Sequence, residues 1–154
     1  MNELDEAGAL AVVTIQQLQA AYADAVTRRD WAAVRDLFEP DAVVHIDTHT
    51  REPFSLEGPS ALVAFIDQAI ASFTFFEFTI LNATVELHGD DATGRVYICE
   101  LRLDGDGTWS EAYGLYRDRY RRRDSAWRIA GRRYASLARR GPGGTEAFSL
   151  PTDS

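Results

Sequence analysis

The chain has 154 residues, of which 45% are hydrophobic and 26% charged, so a wholly disordered chain is excluded and one domain of ordinary size is expected. A formal charge of −8 argues against a nucleic-acid partner, which needs a basic surface, and no apolar run approaches the roughly 18 residues of a membrane span. The single cysteine, Cys99, excludes a disulfide scaffold, and the acidic residues 1–6 do not resemble a secretory signal, so a cytoplasmic protein is expected.

The first half of the chain has the periodicity of helices. Residues 1–13 are predicted as a loose N-terminal segment, and apolar residues three and four positions apart then predict a helix over residues 14–27. Asp30 is typical of an N-cap and predicts a second helix over residues 31–38. The next predicted elements are a strand over residues 42–47, a polar loop over residues 48–55 and a third helix with Ser60 as its N-cap.

After residue 74 the hydrophobic period changes to two, which predicts β-strands. Helices followed by strands predict an α+β domain over residues 14–140, in which three N-terminal helices pack on a curved antiparallel sheet. A curved sheet wrapped around helices forms a cone, and the open end of the cone is a natural apolar pocket. Residues 141–154, which contain glycine and proline, are predicted as a flexible C-terminal tail. The four strands are predicted over residues 76–87, 92–103, 108–121 and 126–137.

The third of these strands indicates which of its faces is buried. The arginines at positions 117, 119 and 121 share one face and prefer water, so the opposite face is predicted to point inward. That inward face carries Tyr116, Asp118 and Tyr120. The wider arginine-rich strip in the last third of the chain is interpreted as a solvated strand face, with an anion site as the alternative.

Metal-binding residues are sparse. His45 and His49 flank Asp47, but no second cluster at ligand spacing accompanies them, so no metal site is expected. Cys99 is interpreted as a small core residue.

Two motifs resemble a known family. The run from Tyr22 through Asp30-Trp31 to Val43 resembles the opening of the SnoaL-like branch of the nuclear transport factor 2-like superfamily, and residues 114–129 resemble its closing hairpin. The resemblance covers residues 14–137 and implies an α+β cone with a deep pocket and a homodimer formed through the sheet. Members include dehydratases, dehydrochlorinases, isomerases and cyclases, together with proteins that only bind ligands or partners.

The family's catalytic positions can be compared with this chain. In the dehydratase and dehydrochlorinase branch, an aspartate orients a histidine that acts as general base. An ungapped match places these two positions on Thr27 and Phe78, neither of which can take a proton. In the isomerase branch, the oxyanion tyrosine matches Tyr22, the base falls on Ile46, and the second oxyanion donor falls on Tyr116.

The resemblance also places one face of the second strand, with Ile98, Glu100 and Arg102, toward the pocket. It implies a cofactor-independent isomerase, cyclase or dehydratase that acts on an apolar, oxygenated small molecule, polyketide-like or steroid-like. The alternative is a non-catalytic ligand-binding or protein-interaction module of the same fold, in which Glu100, Arg102 and Asp118 form a structural ion network. The predicted catalytic residues are Asp118 and Glu100 as candidate bases with Tyr22 and Tyr116 as hydrogen-bond donors. The predicted substrate-binding residues are Thr27, Ile46, Phe78, Arg102, Ile98 and Tyr120.

Overall fold

The structure is a computed structural model and describes residues 3–152, which form three helices and seven strands. The helices are α1 (Glu6–Arg28), α2 (Trp31–Asp36) and α3 (Pro59–Ala69). The strands are β1 (Phe38–Asp47), β2 (Phe54–Glu57), β3 (Phe73–His88), β4 (Asp91–Asp104), β5 (Trp109–Arg123), β6 (Ala126–Gly141) and β7 (Gly144–Ala147). Within residues 3–152, no helix has both the length and the apolar character needed to cross a lipid bilayer.

The seven strands form one curved sheet in the order β2-β1-β6-β5-β4-β3, and β7 also pairs with β6. The sheet is mixed, because β1 runs parallel to β6 while the other neighbours are antiparallel. The prediction of a wholly antiparallel sheet is therefore wrong at this one pairing. A short turn between two strands in the sequence predicts that they pair antiparallel. A parallel pair joins strands that are distant in sequence, so local periodicity does not indicate which strands pair.

Helix α1 begins earlier than predicted. The Asp5 carboxylate accepts a hydrogen bond from the Gly8 backbone N–H at 2.7 Å, so the helix starts at Glu6. The prediction of a loose segment over residues 1–13 is thus wrong from residue 6 onward, and residues 1 and 2 lie outside the described part of the chain. The helix ends at Arg28, and the residue that follows it, Arg29, has a left-handed φ of 57°.

The other two helices begin in different ways. Asp30 caps α2 as predicted, because its carboxylate accepts a hydrogen bond from the Ala33 N–H at 3.1 Å. Helix α3 is instead preceded by Gly58, with a φ of 83°, and starts at Pro59, so the prediction of Ser60 as its N-cap is wrong. Proline suits this first position because its missing N–H would have no partner within the helix.

Two short strands lie where none was predicted. Strand β2 overlaps the predicted polar loop and pairs with β1, and β7 lies in the predicted tail and pairs with the end of β6. All four residues of β7 are exposed, so no buried face gives it a hydrophobic pattern. Residues 153 and 154 of the predicted tail lie outside the described part of the chain.

Candidate active site

A cavity of about 270 Å³ lies between α1, α3 and the inner face of the sheet. This volume lies just below the roughly 300–1,000 Å³ that is usual for small-molecule sites, so it suits a small molecule of one or two rings. Most of its wall is apolar and comes from α3, β1 and β3. The polar lining residues are Tyr22, Thr48, Glu100, Arg102, Tyr116, Arg132, Tyr134 and Arg139.

Arg132 on β6 is the most buried charged group in this wall. Its guanidinium forms two hydrogen bonds with the Asp118 carboxylate, at 2.7 and 2.8 Å, and both side chains are almost fully buried. The guanidinium carbon also lies 3.7 Å from the ring centre of Tyr116 and 4.3 Å from that of Tyr22. Burial acts to lower the pKa of Arg132, but the Asp118 carboxylate outweighs it and holds the pKa above its ordinary value. The group therefore stays positively charged.

Asp118 does not reach the cavity. Both of its oxygens are occupied, since Arg132 donates to each of them and the Tyr120 hydroxyl donates to Oδ2 at 2.9 Å. Tyr120 in turn accepts a hydrogen bond from Gln19 at 2.9 Å, and it is also absent from the cavity wall. The predicted inward direction of this strand face is confirmed by the burial of both residues. The structure places neither residue in the cavity wall, where Arg132 lies instead, and so gives no support to the roles predicted for them, base for Asp118 and substrate contact for Tyr120.

Glu100 on β4 lines the cavity directly. Its Oε2 accepts a hydrogen bond from Arg102 Nη2 at 3.1 Å, and the two side chains are 23% and 21% exposed. Burial raises the pKa of Glu100, while the charges of Arg102 and Arg139 act in the opposite direction. A carboxylate with a raised pKa is a stronger base than one in water, so Glu100 can accept a proton from a bound molecule.

Two of the three tyrosines that line this cavity contact each other. Tyr22 on α1 and Tyr116 on β5 are both buried, and their rings meet edge to face with centroids 5.9 Å apart. Burial raises the pKa of both hydroxyl groups above the ordinary value of tyrosine. Both therefore keep their protons at neutral pH and can donate hydrogen bonds.

The remaining predicted residues divide into two groups. Ile46 and Phe78 line the cavity, whereas Thr27 and Ile98 do not. Thr27 Oγ1 instead accepts a hydrogen bond from the Phe78 backbone N–H at 3.0 Å, and Ile98 is fully buried in the core. The structure therefore gives no support to the substrate contacts predicted for Thr27 and Ile98. Positions 27 and 78 do lie side by side, without a charged or proton-accepting side chain at either one.

Three residues of β6 line the cavity although the sequence did not indicate them, namely Arg132, Tyr134 and Arg139. The sequence pattern predicts a solvated face for these arginines, and two bulges in the β5–β6 pairing turn them inward instead. Near Ala130, the β5–β6 pairing shifts from Tyr120↔Ile129 to Arg119↔Gly131, which brings Arg132 opposite Asp118 on the inner face. Without this shift Arg132 would lie opposite Arg117 on the outer face. A second shift, at Leu137, brings Arg139 inward opposite Ala112.

The two histidines that could act as metal ligands, His45 and His49, lie on β1 and in the loop that follows it. His45 Nδ1 contacts the Ser55 hydroxyl, and His49 Nδ1 lies 3.7 Å from the Asp47 carboxylate. Across residues 3–152, no three His, Cys, Asp or Glu side chains are grouped closely enough to hold a metal ion.

Several solved structures share this fold. A protein proposed to be an aromatic ring hydroxylase, from Novosphingobium aromaticivorans, is 26% identical, with a TM-score of 0.73 over 84% of this chain and 91% of that one. The hexachlorocyclohexane dehydrochlorinase LinA-type3 from Novosphingobium barchaimii is 17% identical, with a TM-score of 0.72 over 90% and 94%. A proposed scytalone dehydratase from N. aromaticivorans is 16% identical, with a TM-score of 0.69 over 90% and 87%.

Comparison with curated proteins gives no match. The model of the SnoaL-like domain family, in contrast, matches residues 8–133, which include α2, α3, all but the first two residues of α1 and most of the sheet. The match covers the cavity wall except for Tyr134 and Arg139. The chain therefore belongs to the SnoaL-like domain family.

Proposed function

We propose that this protein is an enzyme that performs acid–base chemistry on an apolar, oxygenated small molecule, with Glu100 as the general base. The observation that carries the proposal is a carboxylate of raised pKa that lines a mostly apolar cavity, together with the hydrogen-bond donors Tyr22, Tyr116 and Arg132. A general base works best when its pKa is tuned toward the working pH, and burial moves Glu100 in that direction.

The reaction that fits these groups is proton removal beside a carbonyl group. Glu100 takes the proton from carbon, and the electron pair of the broken C–H bond moves onto the carbonyl oxygen to form an enolate. The hydroxyl groups of Tyr22 and Tyr116 and the guanidinium of Arg132 lower the energy of this oxyanion by donating hydrogen bonds or positive charge. In a β,γ-unsaturated ketone the enolate extends over the carbon–carbon double bond, and return of the proton from Glu100 to the far carbon completes an isomerisation. In a β-hydroxy ketone the enolate expels the β-hydroxyl group, which takes the proton from Glu100 and leaves as water, and this completes a dehydration.

The solved relatives support an elimination or isomerisation, since one is a dehydrochlorinase and another a proposed scytalone dehydratase. The histidine–aspartate pair implied by the family resemblance is replaced here by Phe78 and Thr27, so the base must come from another strand. Glu100 lies directly opposite Phe78 in the β3–β4 pairing, which places it beside the position that the histidine would occupy. Opposite residues of an antiparallel pair share one face of the sheet.

The experiment that tests the proposal measures exchange of the α-protons of 1-tetralone, a two-ring ketone, in D2O by NMR. We expect the protein to accelerate the exchange, and Glu100→Gln to lower the enzymatic rate by about 10²–10⁴-fold. Glu111→Gln is the matched control, because the Glu111 carboxylate accepts hydrogen bonds from Tyr113 and Trp109 and does not line the cavity. An unchanged rate in Glu100→Gln would exclude Glu100 as the base.

A second candidate is a ligand-binding module without catalytic activity. It is favoured by the loss of acid–base groups at positions 27 and 78 and by the ion pair that Glu100 forms with Arg102. Saturable binding of 1-tetralone without any acceleration of its proton exchange would support this second candidate over the first.

A further inference from the structure

We propose that the molecule bound in this cavity carries a carboxylate group and that Arg139 binds it. The proposal rests on the proposed function, since it names the class of substrate for the same cavity. An aromatic or alicyclic acid is the expected class, with its ring against the apolar wall and its carboxylate at the β4–β6 side, where Arg102 and Arg139 lie.

The first observation concerns buried nitrogen atoms that lack a hydrogen-bond acceptor. In residues 3–152, five buried side-chain nitrogen or oxygen atoms have no hydrogen-bond partner. Three of the five belong to arginines of the cavity wall, namely Arg102 Nε, Arg132 Nη1 and Arg139 Nε. Buried donors normally have acceptors, and charged donors lose most when they have none. Oxygen atoms of a bound molecule would supply the missing acceptors.

The second observation is the charge of the cavity wall. Arg132 is neutralised by Asp118, and Arg102 by Glu100. Arg139 forms no ion pair within residues 3–152, and its cross-strand neighbour Glu146 on β7 is exposed. One positive charge is therefore uncompensated in the wall, although the whole chain carries a net charge of −8. An anionic ligand would neutralise it.

The third observation concerns the shape of the anion. Arginine presents its N–H groups in a planar fork that matches the two oxygens of a carboxylate. The cavity of about 270 Å³ and its phenylalanine-rich wall suit a ring with one compact charged group. A carboxylate attached directly to a one-ring or two-ring body meets both requirements.

The test uses two pairs of probes that differ only in charge, benzoate with benzamide and 2-naphthoate with 2-naphthamide. Their dissociation constants are measured by isothermal titration calorimetry with the full chain. We expect whichever of benzoate and 2-naphthoate binds more tightly to have a dissociation constant at least about tenfold lower than that of its amide. Arg139→Gln should remove this preference by weakening the binding of the acid far more than that of the amide, and Arg139→Lys should restore part of it. Arg140→Gln is the control, because Arg140 is the exposed neighbour of Arg139 on β6 and does not line the cavity.

Equal affinity for acid and amide would overturn the proposal, and so would an unchanged preference in Arg139→Gln or no binding of any of the four probes. The circular dichroism spectrum of each variant verifies that it is folded. Binding is read without turnover, so the two proposals can fail separately. A preference for the acid that depends on Arg139, without proton exchange in 1-tetralone, would retain the ligand class and reject the enzyme.

Discussion

Glu100 is subject to opposing influences that set how strong a base it is. Burial raises the pKa of its carboxyl group, whereas Arg102, which bonds it, and Arg139, which lies in the same wall, lower it. The net result is a pKa raised above the ordinary value of glutamate. A base must be deprotonated to work, so activity is lost as the pH falls through this raised pKa.

The pH dependence of kcat/KM follows from this balance. We expect kcat/KM for proton exchange in 1-tetralone, a neutral probe, to rise with pH through an apparent pKa above that of a solvated glutamate. Arg139→Gln removes a charge that lowers the pKa of Glu100, so the rising limb should move to higher pH. Arg140→Gln serves as the control and should leave the limb in place. If the rising limb of the pH profile of kcat/KM stays in place or moves to lower pH in Arg139→Gln, this account of the pKa of Glu100 is contradicted.

At the scale of the elements, close contact between strands depends on small residues. Gly94 on β4 lies opposite Val85 on β3 and Asp118 on β5. A Cβ atom at this position would lie 2.7 Å from the backbone oxygen of Thr84 and 3.0 Å from the ring of Tyr120. Backbone cannot move aside as a flexible side chain can, so an added methyl group must shift β3 or Tyr120.

We expect Gly94→Ala to lower the free energy of unfolding by about 1–3 kcal/mol, the usual cost of overfilling a packed site. Urea denaturation followed by circular dichroism measures this change. Gly143→Ala is the matched control, since a Cβ atom there has no neighbour within 4 Å, and its effect should stay within about 0.5 kcal/mol. Equal stability of the two variants would show that the strands at Gly94 have room for a methyl group.

At the scale of the whole molecule, one buried polar network joins the helical layer to the sheet. Gln19 of α1 donates a hydrogen bond to the Tyr120 hydroxyl of β5, and this hydroxyl donates one to the Asp118 carboxylate. Asp118 also accepts a hydrogen bond from Arg132 of β6. Arg132 then returns to α1 through its contact with the ring of Tyr22. The network therefore positions Arg132 in the cavity and also connects the two layers of the fold.

Asp118→Asn should cost about 3–5 kcal/mol of unfolding free energy, because it leaves the buried charge of Arg132 without a counter-charge. Asp91→Asn breaks the exposed pair with Arg121 and should cost no more than about 1 kcal/mol. Urea denaturation of both variants gives the comparison, and similar small losses in the two would mean that the Asp118–Arg132 pair contributes little to the fold.

The homodimer through the sheet, which the family resemblance implies, stays a prediction. Sedimentation velocity tests it directly, with twice the monomer mass of 17.2 kDa as the expected result. A species of monomer mass at micromolar concentration would contradict it.

Much of the architecture could be inferred from the residues alone, because hydrophobic periodicity and turn residues act locally. The period of two located the four long strands, and the arginines on one face of β5 correctly indicated that Asp118 points inward. The family resemblance likewise placed Glu100 and Arg102 on the pocket side, where the structure has them. In each case the relevant signal lies within one element.

The tertiary structure alone decided how these elements meet. The parallel pairing of β1 with β6 joins segments that are far apart in the chain, so neither segment carries a signal for the other. Two bulges turn Arg132 and Arg139 inward, and one extra residue in a strand reverses the face of every residue beyond it. Arg132 then forms an ion pair with Asp118 and itself lines the cavity. The charge of the site thus follows from strand register, which depends on pairing across the sheet and not on residue type.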